Sequence, residues 1–149
     1  FRLATVFGIS PRMRLDLLVN NFVYRALTDK FVILFEGHFK RNYVHVKDVC
    51  EAFCFAIENQ EKVKGEIFNF GLTEANISKQ ELCYAIQAQL PEFTFIDAPL
   101  AKDPDQRNYI VSNQKIEDKG MKARISLDYG ISELIKGLQM FEQYPFSNL

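Results

Sequence analysis

The run Arg41-Asn42-Tyr43-Val44-His45-Val46-Lys47-Asp48-Val49 constrains this chain more than any other stretch. Tyr43, Val44, His45 and Val46 alternate rings with β-branched side chains, which suits a pleated strand. Asp48 has Glu51 three residues later, a capping-box spacing. Val49, Ala52, Phe53, Ala56 and Ile57 follow at helical intervals, so the sequence predicts a helix opening at Asp48 and ending near Gln60. Arg41 is thereby placed at the mouth of a strand and beside a helix start. A guanidinium held there can offer two N–H groups to one phosphate, or it can pair with a carboxylate on the rim.

The rest of the chain alternates in the same way. Residues 1–6 read as a strand entering a turn at Phe7-Gly8, followed by a loop from Ile9 to Arg14 that Pro11 keeps from being helical. Asp16 is the predicted cap of a helix through about Thr28. Phe31 to Phe35 reads as a strand and Glu36-Gly37-His38 as a turn; Glu66 to Phe70 reads as another strand, ended by Gly71. Ser78-Lys79-Gln80-Glu81 is a second capping box, opening a helix to about Leu90. A strand from Phe93 to Asp97 and a short helix from Ser112 to a C-cap at Gly120 come next. Ile131, Leu134, Ile135, Leu138 and Phe141 form the apolar stripe of a last helix. The predicted class is α/β, with no linker or internal repeat to divide the chain.

With 149 residues, the chain is long enough for one real core. A net charge of −1 gives no basic field to recruit nucleic acid, and no apolar run approaches a membrane span. Cys50, Cys54 and Cys83 are an odd, sparse set. That suits a reducing, cytoplasmic setting better than a disulfide framework. Cys50 and Cys54 are four apart on the Asp48 helix, with His45 nearby, but no second paired motif completes a metal site. The expectation is buried or half-buried thiols and no metal.

The Arg41 stretch resembles the R-D-[FY]-[IV]-H-V-x-D-[VL] segment of the extended short-chain dehydrogenases/reductases, the sugar-nucleotide epimerases and dehydratases. Arg2-Leu3-Ala4-Thr5-Val6-Phe7-Gly8 is similar to their R-x-x-N-x-Y-G strand and turn, and Phe68-Asn69-Phe70-Gly71 to their [YF]-N-[VIL]-G. The resemblance spans nearly the whole chain in the right order. It implies that Arg41 holds the diphosphate of a nucleoside-diphosphate sugar, that Asp105 and Arg107 form a second phosphate- or ribose-binding pair, and that Asp16 and Leu17 cover the nucleotide base. It also implies that Leu3 and Ala4 border the nicotinamide ribose of NAD or NADP. Two positions depart from the pattern. Asn42 replaces the aspartate after the arginine, and Thr5 replaces an asparagine, so a single hydroxyl stands where the family has a two-sided amide.

No G-x-x-G-x-x-G turn occurs in this sequence. Tyr43 and Lys47 spell Tyr-x-x-x-Lys, but along a strand that spacing separates the side chains by roughly 13 Å, so the sequence assigns no catalytic residue to this chain. The chain therefore reads as one C-terminal region over residues 1–149: a mixed α+β substrate domain with the last strands of a Rossmann-type sheet, whose partner is the N-terminal half of the same enzyme. By that reading NAD or NADP belongs to the parent enzyme and is not bound tightly here. The expected parent is an NAD(P)-dependent nucleotide-sugar epimerase or dehydratase. A reductase acting on a non-nucleotide carbonyl and a non-catalytic binding module are the alternatives, and homo-oligomerisation stays open. Purely structural roles stand beside the ligand roles: a helix cap for Asp16, core strand for Leu3 and Ala4, a mutual pair for Asp105 and Arg107.

Overall fold

The computed structural model describes residues 1–98 and 108–140. Strands β1 (Arg2–Leu3) and β2 (Thr5–Phe7) lead to helix α1 (Leu18–Thr28), strand β3 (Phe31–Leu34), strand β4 (Lys40–His45) and helix α2 (Val46–Glu58). A short helix α3 (Gln60–Val63), strand β5 (Asn69–Phe70) and strand β6 (Asn76–Ser78) precede helix α4 (Lys79–Gln89). Strand β7 (Thr94–Asp97), a one-turn helix α5 (Gln114–Glu117) and helix α6 (Leu127–Met140) complete the described elements.

The first strand run is shared between two partners. Arg2 and Leu3 pair in parallel with Asn69 and Phe70, then Thr5, Val6 and Phe7 pair in parallel with Tyr43, Val44 and His45. The sequence predicted one strand over residues 1–6; the structure breaks it at Ala4, where the chain passes from one neighbour to the other. β6 closes the other side of β4 antiparallel, and β3 and β7 form a separate parallel pair. Parallel pairing buries strands on both sides, and β4 follows that rule: residues Arg41 through His45 are all buried. Helices α1, α4 and α6 pack against one another around Val19, Val23, Leu82, Ile86, Ile131 and Leu134, all fully buried.

Several predicted boundaries move, each for a tertiary reason. The helix expected to open at Asp48 opens at Val46, because β4 hands over directly to it and His45 is its N-cap. The ring Nδ1 of His45 accepts from the Lys47 amide at 3.3 Å. Asp48 is drawn inward instead, accepting from the amides of Arg124 and Ile125 at 3.1 and 3.0 Å. Asp16 is not the cap of α1 either. Leu17 is the N-cap, with no side-chain bond, while Asp16 forms a fork with Arg14. The helix start is held by Asn20 and Asn21, whose amides donate to the Arg14 and Leu15 carbonyls. The strand expected over Glu66–Phe70 is only Asn69–Phe70, because β1 offers two residues for pairing. The helix expected from Ser112 begins after Asn113. Cys50 and Cys54 are exposed, contrary to expectation, because α2 buries the narrow stripe of Val49 and Ala52 and turns both thiols outward. Cys83 is buried, and burial pushes its thiol up to about 12.

The second capping box forms as its sequence requires. Ser78 Oγ accepts from the Glu81 amide at 3.1 Å and the Glu81 carboxylate accepts from the Ser78 amide at 2.7 Å. Ser78→Ala is expected to cost about 1 kcal/mol, measured by chemical denaturation.

Helix α6 is tied to the β4–α2 junction through Glu133. The buried His45 donates from Nε2 to Glu133 at 2.7 Å, and Lys47 bonds the other carboxylate oxygen. Since His45 Nδ1 accepts, the ring proton resides on Nε2. Burial works to raise the Glu133 pKa, but the hydrogen bonds from Lys47 and His45 outweigh it and hold the carboxyl below its ordinary range. A depressed carboxyl contributes stability above its unfolded pKa, and that contribution is lost as pH falls through the folded value. Thermal melts should therefore separate the wild type from Glu133→Gln at neutral pH and converge below about pH 4.

Candidate functional site

The parallel register sets the geometry of the main cleft. Thr5 lies opposite Tyr43, so Arg41, two residues earlier on β4, lies level with Leu3. Arg41 is only 5% exposed, yet it lines an open cleft of about 560 Å³ whose other walls are Leu3, Ala4, Thr5, Val6, Arg14, Asp16, Leu17, Leu18 and Tyr109. Six of the eight residues singled out from sequence thus meet in one cleft: Arg41, Thr5, Asp16, Leu17, Leu3 and Ala4. Asp105 and Arg107 lie outside the described residues.

Three local devices shape this cleft. The loop between β2 and α1 is clamped at both ends by Asn20, whose Oδ1 accepts from the Gly8 amide at 3.1 Å and whose Nδ2 donates to the Arg14 carbonyl at 3.1 Å. That clamp fixes where Arg14 and Asp16 leave the loop. On the rim the two side chains form a fork, with Arg14 Nη2 2.5 Å from Asp16 Oδ2. Opposite, Tyr109 is fastened beside Arg41 by two bonds to Lys40: its amide donates to the Lys40 carbonyl at 3.0 Å, and Asn108 Oδ1 accepts from the Lys40 amide at 2.9 Å. Asn20, Asn108 and Tyr109 had no local sequence signal. Each acts across a fold-level contact.

The cleft offers a buried guanidinium, a hydroxyl, an apolar strand edge and one aromatic ring. That set suits an anionic ligand carrying a flat or apolar group. A second cleft of about 580 Å³ is lined by Leu72, Glu74, Ala75 and residues 122–124 and 126–128. Size does not choose between them. Burial does: among the described residues the cations lining the second cleft, Lys122 and Arg124, are exposed, whereas Arg41 is buried at the edge of the first.

Tyr43 and Lys47 line neither cleft. Tyr43 is fully buried on β4, its hydroxyl has no hydrogen-bond partner among the described residues, and burial raises its pKa well above that of an ordinary phenol. Lys47 stands in the first turn of α2, not on the strand as the sequence suggested, and is held by Glu133. No group of three or more His, Cys, Asp and Glu among the described residues is arranged to hold a metal ion. No described helix is long and apolar enough to cross a membrane.

Parallel strands flanked by helices, with a buried arginine at a cleft on the strand edge, define an α/β fold with a candidate ligand cleft. The model of the NAD dependent epimerase/dehydratase family matches residues 1–71, and that segment is similar to this family. The fold extends the likeness across the described chain. An NAD dependent NDP-hexosamine 5,6-dehydratase, TunA, involved in tunicamycin biosynthesis, superposes with a TM-score of 0.75 at 20% identity, covering 93% of this chain and 45% of that one. UDP-glucose 4-epimerase from Thermotoga maritima, solved with UDP-glucose, gives 0.75 at 24% identity, covering 95% and 46%. ADP-L-glycero-D-manno-heptose-6-epimerase from Helicobacter pylori gives 0.70 at 24%, covering 93% and 42%. The chain spans less than half the length of these solved structures, and it shares their Rossmann-like mixed α/β fold.

Leu3 and Ala4 reach the cleft from the strand edge, but no Gly-rich turn in this sequence could receive a pyrophosphate.

Proposed function

We propose that this chain is the substrate-binding, C-terminal region of an NAD(P)-dependent nucleotide-sugar epimerase or dehydratase. In this reading the Arg41 cleft takes the nucleoside diphosphate. The observation that carries it is the convergence of Arg41, Thr5, Leu3, Ala4, Asp16 and Leu17 on one cleft. These residues come from three strands and a loop: Leu3 from β1, Thr5 from β2 and Arg41 from β4, with Ala4 at the strand break and Asp16 and Leu17 ahead of α1.

Arg41 would hold the diphosphate through its planar fork, with the Thr5 hydroxyl donating a further bond. Leu17 and the ring of Tyr109 would pack against the flat nucleobase, and Leu3 and Ala4 would border the nicotinamide ribose of a cofactor held mainly by the rest of the enzyme. NAD or NADP, when bound, supplies reversible hydride removal from a sugar carbon. This chain's part is orientation. Binding energy from the diphosphate and base, remote from the reacting carbon, fixes where the sugar ring lies. Asp105 and Arg107 would extend the same clamp.

Calorimetric titration with UDP-, GDP-, CDP- and dTDP-sugars tests this reading. It expects saturable binding of at least one of them. Saturable binding of a non-nucleotide carbonyl compound alone would move the assignment to a reductase. A folded chain that binds none of them would mean that this region does not form the diphosphate clamp alone.

A further inference from the structure

We propose that Cys50 and Cys54 form a two-thiolate site for a soft monovalent cation of the copper(I) type. Both thiols are exposed, and they stand one helical turn apart on the 13-residue helix α2. They open into the same cleft, of about 290 Å³, whose walls include Met121, Lys122 and Arg124. This cleft is separate from the Arg41 cleft and shares no residue with it.

The helix decides what such a pair can do. Residues four apart have Cβ atoms about 5–6 Å from each other. A direct disulfide needs roughly 3.5–4.5 Å, so the pair cannot close on itself without unwinding α2. One metal atom between the two sulfurs bridges them with no direct S–S bond. The donor set then selects the metal. Zinc requires a closed set of four ligands, and no described group of three or more His, Cys, Asp and Glu is placed to supply even three. Copper(I) prefers thiolate and thioether sulfur and is satisfied by two such donors. Met121, buried in the wall of the cleft, adds a thioether to the same surroundings.

The charges also balance. Binding releases two thiol protons to solvent and leaves a copper–dithiolate of net charge −1. Lys122 and Arg124 line the same cleft together with Glu51 and Glu58, so both signs of charge surround the complex. No electron is transferred: copper remains +1 and both sulfurs remain thiolates.

The test is an anaerobic titration of the chain with Cu(I) supplied as its bathocuproine disulfonate complex. The expected result is withdrawal of one Cu(I) per chain, with an ultraviolet thiolate-to-copper charge-transfer band. Cys50→Ser and Cys54→Ser, each at an exposed position and checked for folding by circular dichroism, should each abolish the withdrawal. Retention in either single variant overturns the proposal, because binding would then not need both sulfurs. Retention in the double variant would trace it to Cys83 and overturn it as well. So would a wild-type chain that leaves Cu(I) with the chelator, or one that takes Zn²⁺ in preference.

Discussion

Arg41→Ala is expected to weaken binding of the nucleoside-diphosphate sugar by about 1.5–3 kcal/mol, roughly a 10- to 150-fold rise in Kd. The size follows from burial. Arg41 is 5% exposed at the edge of the cleft, so the proposed bonds to a diphosphate would form where water competes poorly and salt screens little. Arg14 is exposed and engaged with Asp16 on the rim, and its replacement should change binding far less and in a salt-dependent way. Arg41→Lys keeps the charge but loses the fork, so it should recover only part of the affinity. Calorimetry on the three variants, with melting temperatures recorded in parallel, separates loss of the clamp from loss of the fold.

Gly71→Ala is expected to produce the largest loss of stability, about 3 kcal/mol, or roughly 6–12 °C in melting temperature. A Cβ at Gly71 would fall 1.7 Å from Asn42 Oδ1 and 3.0 Å from the Ala4 Cβ. Asn42 cannot retreat easily, because it is fully buried and its Nδ2 donates to the Leu72 carbonyl at 2.7 Å. The added methyl must therefore push β4 or the strand break at Ala4, the two backbones that carry Arg41 and Leu3 to the cleft. The same substitution should then weaken nucleotide binding even at temperatures where the variant stays folded. Thermal denaturation and calorimetry on one preparation check both effects. Asn42 also accounts for a departure noted in the sequence: beside Gly71 and the Leu72 carbonyl, an amide donates where a carboxylate could not.

What the sequence made legible was local. The box at Ser78–Glu81 needs only its own four residues, and it formed in full. The strand carrying Arg41 was readable from its alternation, and its bounds came within a residue or two. Asp48 and Asp16 had equally good cap spacing, yet neither caps. Asp48 answers the amides of residues 124 and 125, and Asp16 answers Arg14; a window of four residues contains neither competitor's geometry. The exposure of Cys50 and Cys54 failed for a related reason. Val49, Ala52, Phe53 and Ile57 all lie at helical intervals, but α2 buries only the first two and leaves Phe53 and Ile57 half or more exposed. Periodicity identifies a helix before it identifies which flank meets the core. In the cleft, the six described ligand candidates were found by motif order. Tyr109, Asn108 and Asn20 were missed because Lys40, Arg14 and Gly8 give them their roles from a distance in the chain.

The central claim is that Arg41 and the β1–β2 strand edge receive a nucleoside diphosphate. The most direct measurement is a ¹⁵N–¹H NMR titration of the chain with UDP-glucose and the other nucleoside-diphosphate sugars, following backbone amides and the arginine Nε–H signals. Saturable shifts are expected at the Arg41 Nε–H and at the amides of Leu3, Ala4, Thr5 and Leu17, all lost in Arg41→Ala. Saturable shifts confined to residues 122–128 around the second cleft, or none at Arg41 with any of these ligands, would contradict it.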